Sequence, residues 1–257
     1  MNNMLVAFDL DGTLHCRDAE DEGGALAELA DCLRDRGAFT VLATGRSLEE
    51  TLELDQIMNC LPVDAIVANS GAQVYFGQSV GFMQDASFAA RPGAEMPDSD
   101  RFALIALFLG NASVTLQEER HQFPGKLAFY VRTEALAQLR ALVNEAKTYY
   151  PAYEYLVSYN PPDRGFHYFD VHPRQSTKLA GLWYVADVFG VVEENIIYFG
   201  DNGNDLPCIR GLRRAAIIDT YLDELRKDAD GFDWHGVMQL RRGGAATMVQ
   251  ALREMGW

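Results

Sequence analysis

The sequence is poor in most features that mark a specialised environment. Its four cysteines (Cys16, Cys32, Cys60 and Cys208) form no C-x-x-C pair, which argues against a zinc knuckle, a redox motif or a disulfide framework. They read as reduced, structural thiols. No apolar run approaches the ~20 residues that cross a bilayer. The N-terminus lacks a basic region followed by an apolar stretch and a small-residue cleavage site. A cytoplasmic protein without membrane contact is the expectation. Positive charge is also scarce, since 22 Lys and Arg against 37 Asp and Glu leave a formal charge of −15. Sequence-independent binding to nucleic acid needs a basic surface, so nucleic acid is not an expected partner. An anionic ligand would have to be drawn in by local positive groups, not by the overall field. Repeats and low-complexity tracts are absent.

What remains is a chain of 257 residues with an ordinary apolar content of 48%, enough for one large domain or two small ones. An apolar run at 4–8 reads as a strand. Leu26, Leu29, Ala30 and Leu33 follow the i, i+3, i+4, i+7 spacing of an amphipathic helix, with Gly37 placed to end it. A strand over Phe39–Ala43, the turn Thr44-Gly45-Arg46 and a second helix follow, the helix opened by a capping box of Ser47 and Glu50. With another strand at 65–68, this alternation predicts a parallel sheet with crossover helices. The pattern changes after 74–77. A Pro/Gly/Asp-rich segment at 91–100 leads to a helix near 101–109, strands at 114–118 and 127–131, a helix at 133–147, and strands at 154–158 and 168–172. Adjacent strands punctuated by single helices suggest an antiparallel α+β unit. The first pattern then returns, with a helix over Lys178–Phe189 stopped by Gly190, a buried strand at 195–199 and another at 215–218. The expected organisation is a doubly wound parallel-sheet α/β core at 1–78 and 174–257, with an inserted α+β cap at 79–173.

In such a sheet, ligands bind beyond the carboxyl ends of the strands. Three expected strands end there in polar groups: Asp9 and Asp11, Thr44 with Arg46, and Asp201 with Asp205. Lys178 opens the first helix after the insertion. Two aspartates at the end of a buried strand repel each other and are expensive to desolvate. Hard oxygen ligands with open positions suit Mg²⁺, and an ion held by Asp9 and Asp201 would relieve that repulsion. The ion and Lys178 would offset the charge of an incoming phosphate, and phosphoryl transfer is mostly positioning and neutralisation. An aspartate can act as covalent nucleophile, and a second carboxyl can protonate the leaving oxygen and then activate water. A calcium-loop reading of 201–212 fails, because Leu206 and Leu212 stand where Gly and Glu are needed. His15, His121, His167 and His172 are scattered and suggest no triad. Trp183 and Tyr184 fall on an apolar helix, where core packing is the expectation. Arg46 is as well suited to a surface ion pair as to a phosphate.

The segments F-D-L-D-G-T at 8–13, T-G-R at 44–46, Lys178 and G-D-N-G-N-D at 200–205, in this order, resemble the haloacid dehalogenase superfamily of phosphohydrolases. The resemblance implies Asp9 as nucleophile and metal ligand, and Asp11 as general acid/base with its backbone carbonyl on the metal. It implies Thr44 and the Gly45 amide as the phosphate-binding turn, and Lys178 as the balancing cation. Asp201 is the implied Mg²⁺ ligand, supported by Asp205 and Asn204. The position of the extra module, between the second and third motifs, is similar to the Cof-like and sucrose-phosphate phosphatase-like subgroup. Gln122-Phe-Pro-Gly-Lys126 resembles a Q-x-P-x-K segment of that subgroup, which makes Gln122 and Lys126 candidates for contacting the substrate. Two departures stand out: Asp219-Thr220 replaces an Asn-Ala or Asn-Ser pair, and Leu179 follows the lysine where glycine is common. The implied function is a Mg²⁺-dependent phosphohydrolase of a small phosphorylated metabolite, a sugar phosphate first, through an aspartyl-phosphate on Asp9. Alternatives from other classes are a phosphotransferase or mutase, separated by product analysis with competing acceptors, and a non-catalytic metabolite binder, separated by metal dependence.

Overall fold

A computed structural model describes residues 3–16, 22–229 and 231–257. In chain order the core opens with β1 (Leu5–Phe8), α1 (Glu22–Asp35), β2 (Phe39–Ala43), α2 (Leu48–Leu52), α3 (Asp55–Cys60), β3 (Val63–Ala68), β4 (Gln73–Gln78), β5 (Gly81–Gln84) and α4 (Ala86–Ala89). The inserted cap carries α5 (Asp98–Leu109), β6 (Val114–Leu116), β7 (Leu127–Arg132), α6 (Leu136–Tyr149), β8 (Tyr153–Ser158) and β9 (Phe166–Pro173). The core resumes with α7 (Lys178–Phe189), β10 (Ile196–Gly200), α8 (Leu206–Gly211), β11 (Arg214–Ile218), α9 (Leu222–Asp228), β12 (Met238–Leu240) and α10 (Ala245–Glu254).

Every residue of β1 is fully buried, as a strand covered on both faces must be. Its side chains alternate between two apolar layers. Leu5 and Ala7 join Leu182 and Val185 of α7, while Val6 and Phe8 join Leu29 and Leu33 of α1 and Met248 and Leu252 of α10. The core sheet runs β12-β11-β10-β1-β2-β3-β4-β5, parallel from β12 to β3 and antiparallel thereafter. From β1 the chain walks outward through β2 and β3. After the cap it returns to β10, on the other side of β1, and walks the opposite way. The strand order therefore reverses between β1 and β10, and the loops leaving their carboxyl ends diverge to open a crevice. Asp9 and Asp201 are the first residues beyond those two strands.

The cap is a four-stranded antiparallel sheet, β6-β7-β9-β8, with α5 and α6 against it. Phe108 of α5 meets Phe129 and Phe169 at ring distances of 5.7 and 4.8 Å, giving this unit an aromatic core. Two expectations need correction. The boundary at residue 78 falls between two hydrogen-bonded strands: β5 pairs with β4 in the core sheet and α4 packs on β4, so we place the edge of the core after Ala89. Trp183 is not core; it is 45% exposed, on the side of α7 that also exposes Asp187. An apolar helix of the core still turns one side to solvent, and periodicity does not say which. Among the described residues no helix is long and apolar enough to cross a membrane.

The cap is bound to the core along β8. The Tyr159 N–H donates to Asn202 Oδ1 at 2.7 Å, and Asn202 Nδ2 donates to the Tyr159 carbonyl at 3.0 Å. Arg210 pairs with Glu154 at 2.9 Å, and Arg140 of α6 reaches Glu224 and Asp228 of the core at 2.6 and 2.9 Å. Between these contacts, Gly203 lies so close to β8 that a Cβ there would stand 1.8 Å from the Val157 carbonyl oxygen. Gly203→Ala is therefore expected to push β8 off the loop and lower stability by about 1–3 kcal/mol. Gly236→Ala, whose Cβ would meet nothing, should stay within about 0.5 kcal/mol of wild type. Urea titrations of both variants check this, and equal midpoints would contradict the close approach.

Candidate active site

Lys178, the first residue of α7, is completely buried. Its backbone is held from two sides. Thr177 caps the helix through its side chain, and Gly71 (φ +104°) sits so close that a Cβ would fall 2.1 Å from the Thr177 carbonyl carbon. The Lys178 Nζ donates to Asp9 Oδ1 at 2.6 Å and to Asp205 Oδ1 at 2.7 Å. The same Asp205 oxygen accepts the buried Tyr198 hydroxyl at 2.5 Å. The other Asp205 oxygen accepts the backbone N–H groups of Asp201 and Asn202, each at 2.9 Å. Both oxygens of Asp205 are thus committed to orienting the lysine and the loop. Burial works against the Lys178 ammonium, but Asp205 and Asp9 outweigh it and hold its pKa above that of free lysine.

Asp9, Asp201 and Asp205 are all buried and present oxygens within 4.8 Å of one another. Gly12 (φ +86°) allows this, because a Cβ there would lie 2.3 Å from Asp201 Oδ2. Thr13 donates its hydroxyl to Asp201 Oδ1 at 3.3 Å. Three carboxylates share one ammonium, and the imbalance shows in their protonation. Burial pushes Asp9 up to about 7 despite Lys178. Burial, then Asp9 and Asp205, raise Asp201 well above the ordinary carboxylate range. A hard divalent cation would remove that penalty, so the donor set fits one, with Asp9 and Asp201 as the carboxylates free to hold it.

The turn after β2, expected from the sequence to meet phosphate, lies beside this cluster. Thr44 is fully buried, and its hydroxyl oxygen accepts the Arg46 backbone N–H at 3.1 Å. Gly45 faces the Asn204 amide and the Ser70 hydroxyl. Ser70 and Asn69 both have positive φ, of 59° and 52°, a conformation that non-glycine residues seldom hold outside functional turns. Arg46, left open between two roles by the sequence, grips Asp11: its Nε and Nη2 donate to the two carboxylate oxygens at 2.7 and 2.6 Å. Burial pushes Asp11 upward, but the Arg46 hydrogen bonds prevail and hold it below its ordinary pKa.

Core and cap together enclose a cleft of about 690 Å³ over these residues. Lys126 lines it, 5% exposed, and pairs with Asp170 of β9 at 3.2 Å. Burial opposes the Asp170 charge, but Lys126 outweighs it and holds the carboxyl down at about 2. Ser70 donates to Asp170 at 3.3 Å, tying the core turn to the cap. Gln122 does not join them. Its amide donates to the Gln117 and Ala128 carbonyls at 3.1 and 2.8 Å and accepts the Ala128 N–H at 3.0 Å, so its polar atoms hold the chain entering β7 instead of facing the cleft. Sequence reasoning missed Asp170, Ser70, Tyr198 and Thr13. An aspartate between the apolar Phe169 and Val171 was the one available signal.

Two measurements probe this cluster. Lys178→Met leaves Asp9 and Asp205 buried without their counter-charge, and should destabilise the chain by about 3–5 kcal/mol in urea unfolding. A loss under about 1 kcal/mol, the scale of an exposed pair, would contradict the pairing. The pH dependence has a definite sign: a carboxyl with a raised folded-state pKa binds its proton more tightly when folded. The stabilisation from Asp9 is full below the ordinary carboxylate pKa of about 4 and lost as pH rises through about 7. In EDTA, wild type should therefore lose more stability than Asp9→Asn between about pH 5 and pH 8, a window that spans the raised pKa. Equal losses would refute the raised pKa.

No curated protein matches the sequence. The family model described as sucrose-6F-phosphate phosphohydrolase matches residues 2–255. Among solved structures, the sucrose-phosphatase of Synechocystis sp. PCC6803, determined in complex with sucrose and phosphate, superposes with a TM-score of 0.78 at 21% identity, over 100% of this chain and 99% of that one. The phosphatase BT1666 from Bacteroides thetaiotaomicron gives 0.66 at 18% identity, over 98% and 95%. The subclass IIB sugar phosphatase BT4131 gives 0.66 at 16%, over 98% and 99%. At these identities the structures establish a shared fold, while the family match spans almost the whole length, and on that ground the chain belongs to the sucrose-6F-phosphate phosphohydrolase family of haloacid dehalogenase-type phosphatases.

Proposed function

We propose that the chain is a Mg²⁺-dependent phosphatase of a small phosphorylated sugar, acting through an aspartyl-phosphate on Asp9. The observation that carries this reading is the buried Lys178 ammonium bonded to Asp9 and Asp205 at the point where the strand order reverses. Two structural relatives are a sucrose-phosphatase and a sugar phosphatase, which supports the substrate class.

Asp9 and Asp201, with the Asp11 carbonyl, would hold the metal. When bound, Mg²⁺ supplies positive charge beside the phosphoryl group. Lys178 fixes one Asp9 oxygen, leaving the other to attack phosphorus. Thr44 and the Gly45 amide cradle the phosphate oxygens, and Ser70 and Asn204 stand beside that turn. Attack forms the Asp9–phosphorus bond and breaks the bond to the leaving oxygen, which takes a proton from Asp11. Arg46 holds Asp11 ionised through its two hydrogen bonds, so Asp11 must first exchange that guanidinium for a proton. After the alcohol departs, ionised Asp11 accepts a proton from water, and the water attacks phosphorus to release phosphate and restore Asp9. The cap closes the cleft and keeps bulk water from competing.

Phosphate release from a panel of sugar phosphates, nucleotides and simple phosphoesters, in Mg²⁺ and in EDTA, tests the reading. Release is expected only with Mg²⁺ and chiefly from sugar phosphates. Asp9→Asn should lower kcat by at least about 10³-fold while leaving the unfolding transition cooperative. Substantial turnover by that variant would rule out the nucleophile, and metal-independent release would rule out the cation.

A further inference from the structure

A second cleft adjoins the first and has a different character. It encloses about 1180 Å³ and shares Asp11, Gly12, Arg46, Asn160 and Tyr168 with the first. Four arginines line it, and they converge from separate parts of the chain: Arg46 after β2, Arg164 in the cap turn between β8 and β9, and Arg241 and Arg242 after β12. Arg164, Arg241 and Arg242 are exposed and have no ion-pair partner among the described residues. Asp11 is the one carboxylate among the described lining residues, and Arg46 already holds it. The first turn of α10 forms another wall, with Ala245, Ala246 and Thr247 at its positive end. In a chain of net charge −15, guanidinium groups gathered in one concavity set up a local positive field that attracts an anion. Guanidinium is also the group that best matches carboxylate and phosphate oxygens.

The position of this cleft specifies what the anion belongs to. Asp11, the group assigned to the leaving oxygen, is part of the wall common to both clefts. A leaving group that starts at Asp11 can therefore extend past Arg46 and Tyr168 into the arginine cleft. We propose that the substrate is a phosphomonoester whose leaving group carries a second anionic group, a carboxylate or a phosphate, bound by Arg164, Arg241 and Arg242. This rests on the phosphatase reading above and deepens it, since a neutral sugar would bring no charge to these guanidinium groups. General electrostatic attraction of any phosphate is the competing explanation, and it would favour all phosphoesters alike.

Binding to the Asp9→Asn protein in Mg²⁺, measured by calorimetry, separates these explanations without requiring turnover. The ligands are glucose 6-phosphate, 6-phosphogluconate, which adds a carboxylate, and glucose 1,6-bisphosphate, which adds a phosphate. At least one doubly anionic ligand should bind about tenfold or more tighter than glucose 6-phosphate, and which one does so identifies the second group. In the Arg241→Gln/Arg242→Gln variant that advantage should disappear while glucose 6-phosphate binds as before. Equal affinity for all three ligands would overturn the proposal and leave the phosphatase reading standing. So would an advantage that survives the double substitution, or an equal loss for glucose 6-phosphate. If none of the three binds, the sugar-phosphate reading fails, and the proposal with it.

Discussion

A single buried ammonium is the constraint on which this architecture depends. Lys178 has no contact with solvent and two carboxylate partners, so removing the lysine leaves uncompensated carboxylates in the interior. The fold meets this demand from several directions. α7 must begin where it does, with Thr177 as cap and Gly71 giving room for its first turn. β1 and β10 must be neighbours for Asp9 and the loop after Gly200 to meet. Asp205 must use both oxygens, one on Lys178 and Tyr198 and one on the loop amides, to keep that loop turned inward. Even so, the negative charge of Asp9 and Asp201 remains in excess. That excess fits the donor set to a cation.

The cap takes its place from the same loop. The segment from Asp201 to Asp205 turns carboxylates toward Lys178 and presents Asn202 and Gly203 to the underside of β8. The group that would support metal binding and the group that seats the cap are therefore neighbours on one short turn. A second tie runs from Ser70, in its left-handed turn beside Gly45, to Asp170 and then to Lys126 in the cap sheet. Displacement of the cap must break these contacts, so its motion is coupled to the geometry of the core turns. Arg46 is the surface counterpart: it holds Asp11 by a bidentate pair where both clefts meet.

Much of this was legible in the sequence, and the reasons are physical. Strands buried on both faces appear as continuous apolar runs, so β1, β2 and β10 could be located to within a residue or two. Strand ends bearing Asp9, Thr44 and Asp201 stood out because charge is unexpected there. Gly190 ended α7 where its φ of 66° requires a glycine. The short, half-exposed β12 and β5 left no such pattern and the β4–β5 hairpin was divided at residue 78, while α10 went unrecognised although Ala245, Met248, Val249 and Leu252 carry the i, i+3, i+4, i+7 spacing. The backbone contacts of Gln122 were not legible, because a local motif reveals nothing of the groups that its amide will meet. Tyr198, Ser70 and Asp170 act through contacts made across 7, 100 and 44 residues of chain. Only the last two depend on distant parts of the fold, but none has a local signature.

The nucleophilic role of Asp9 is open to one direct measurement. Borohydride reduces an acyl phosphate to an alcohol, so an aspartyl-phosphate trapped during turnover becomes homoserine at its own position. Peptide mass spectrometry of the enzyme quenched into borohydride during turnover of a sugar phosphate in Mg²⁺ should find homoserine at position 9 and at no other aspartate. Conversion at another aspartate, or none at all while phosphate is being released, would contradict a nucleophilic Asp9 poised by the buried Lys178.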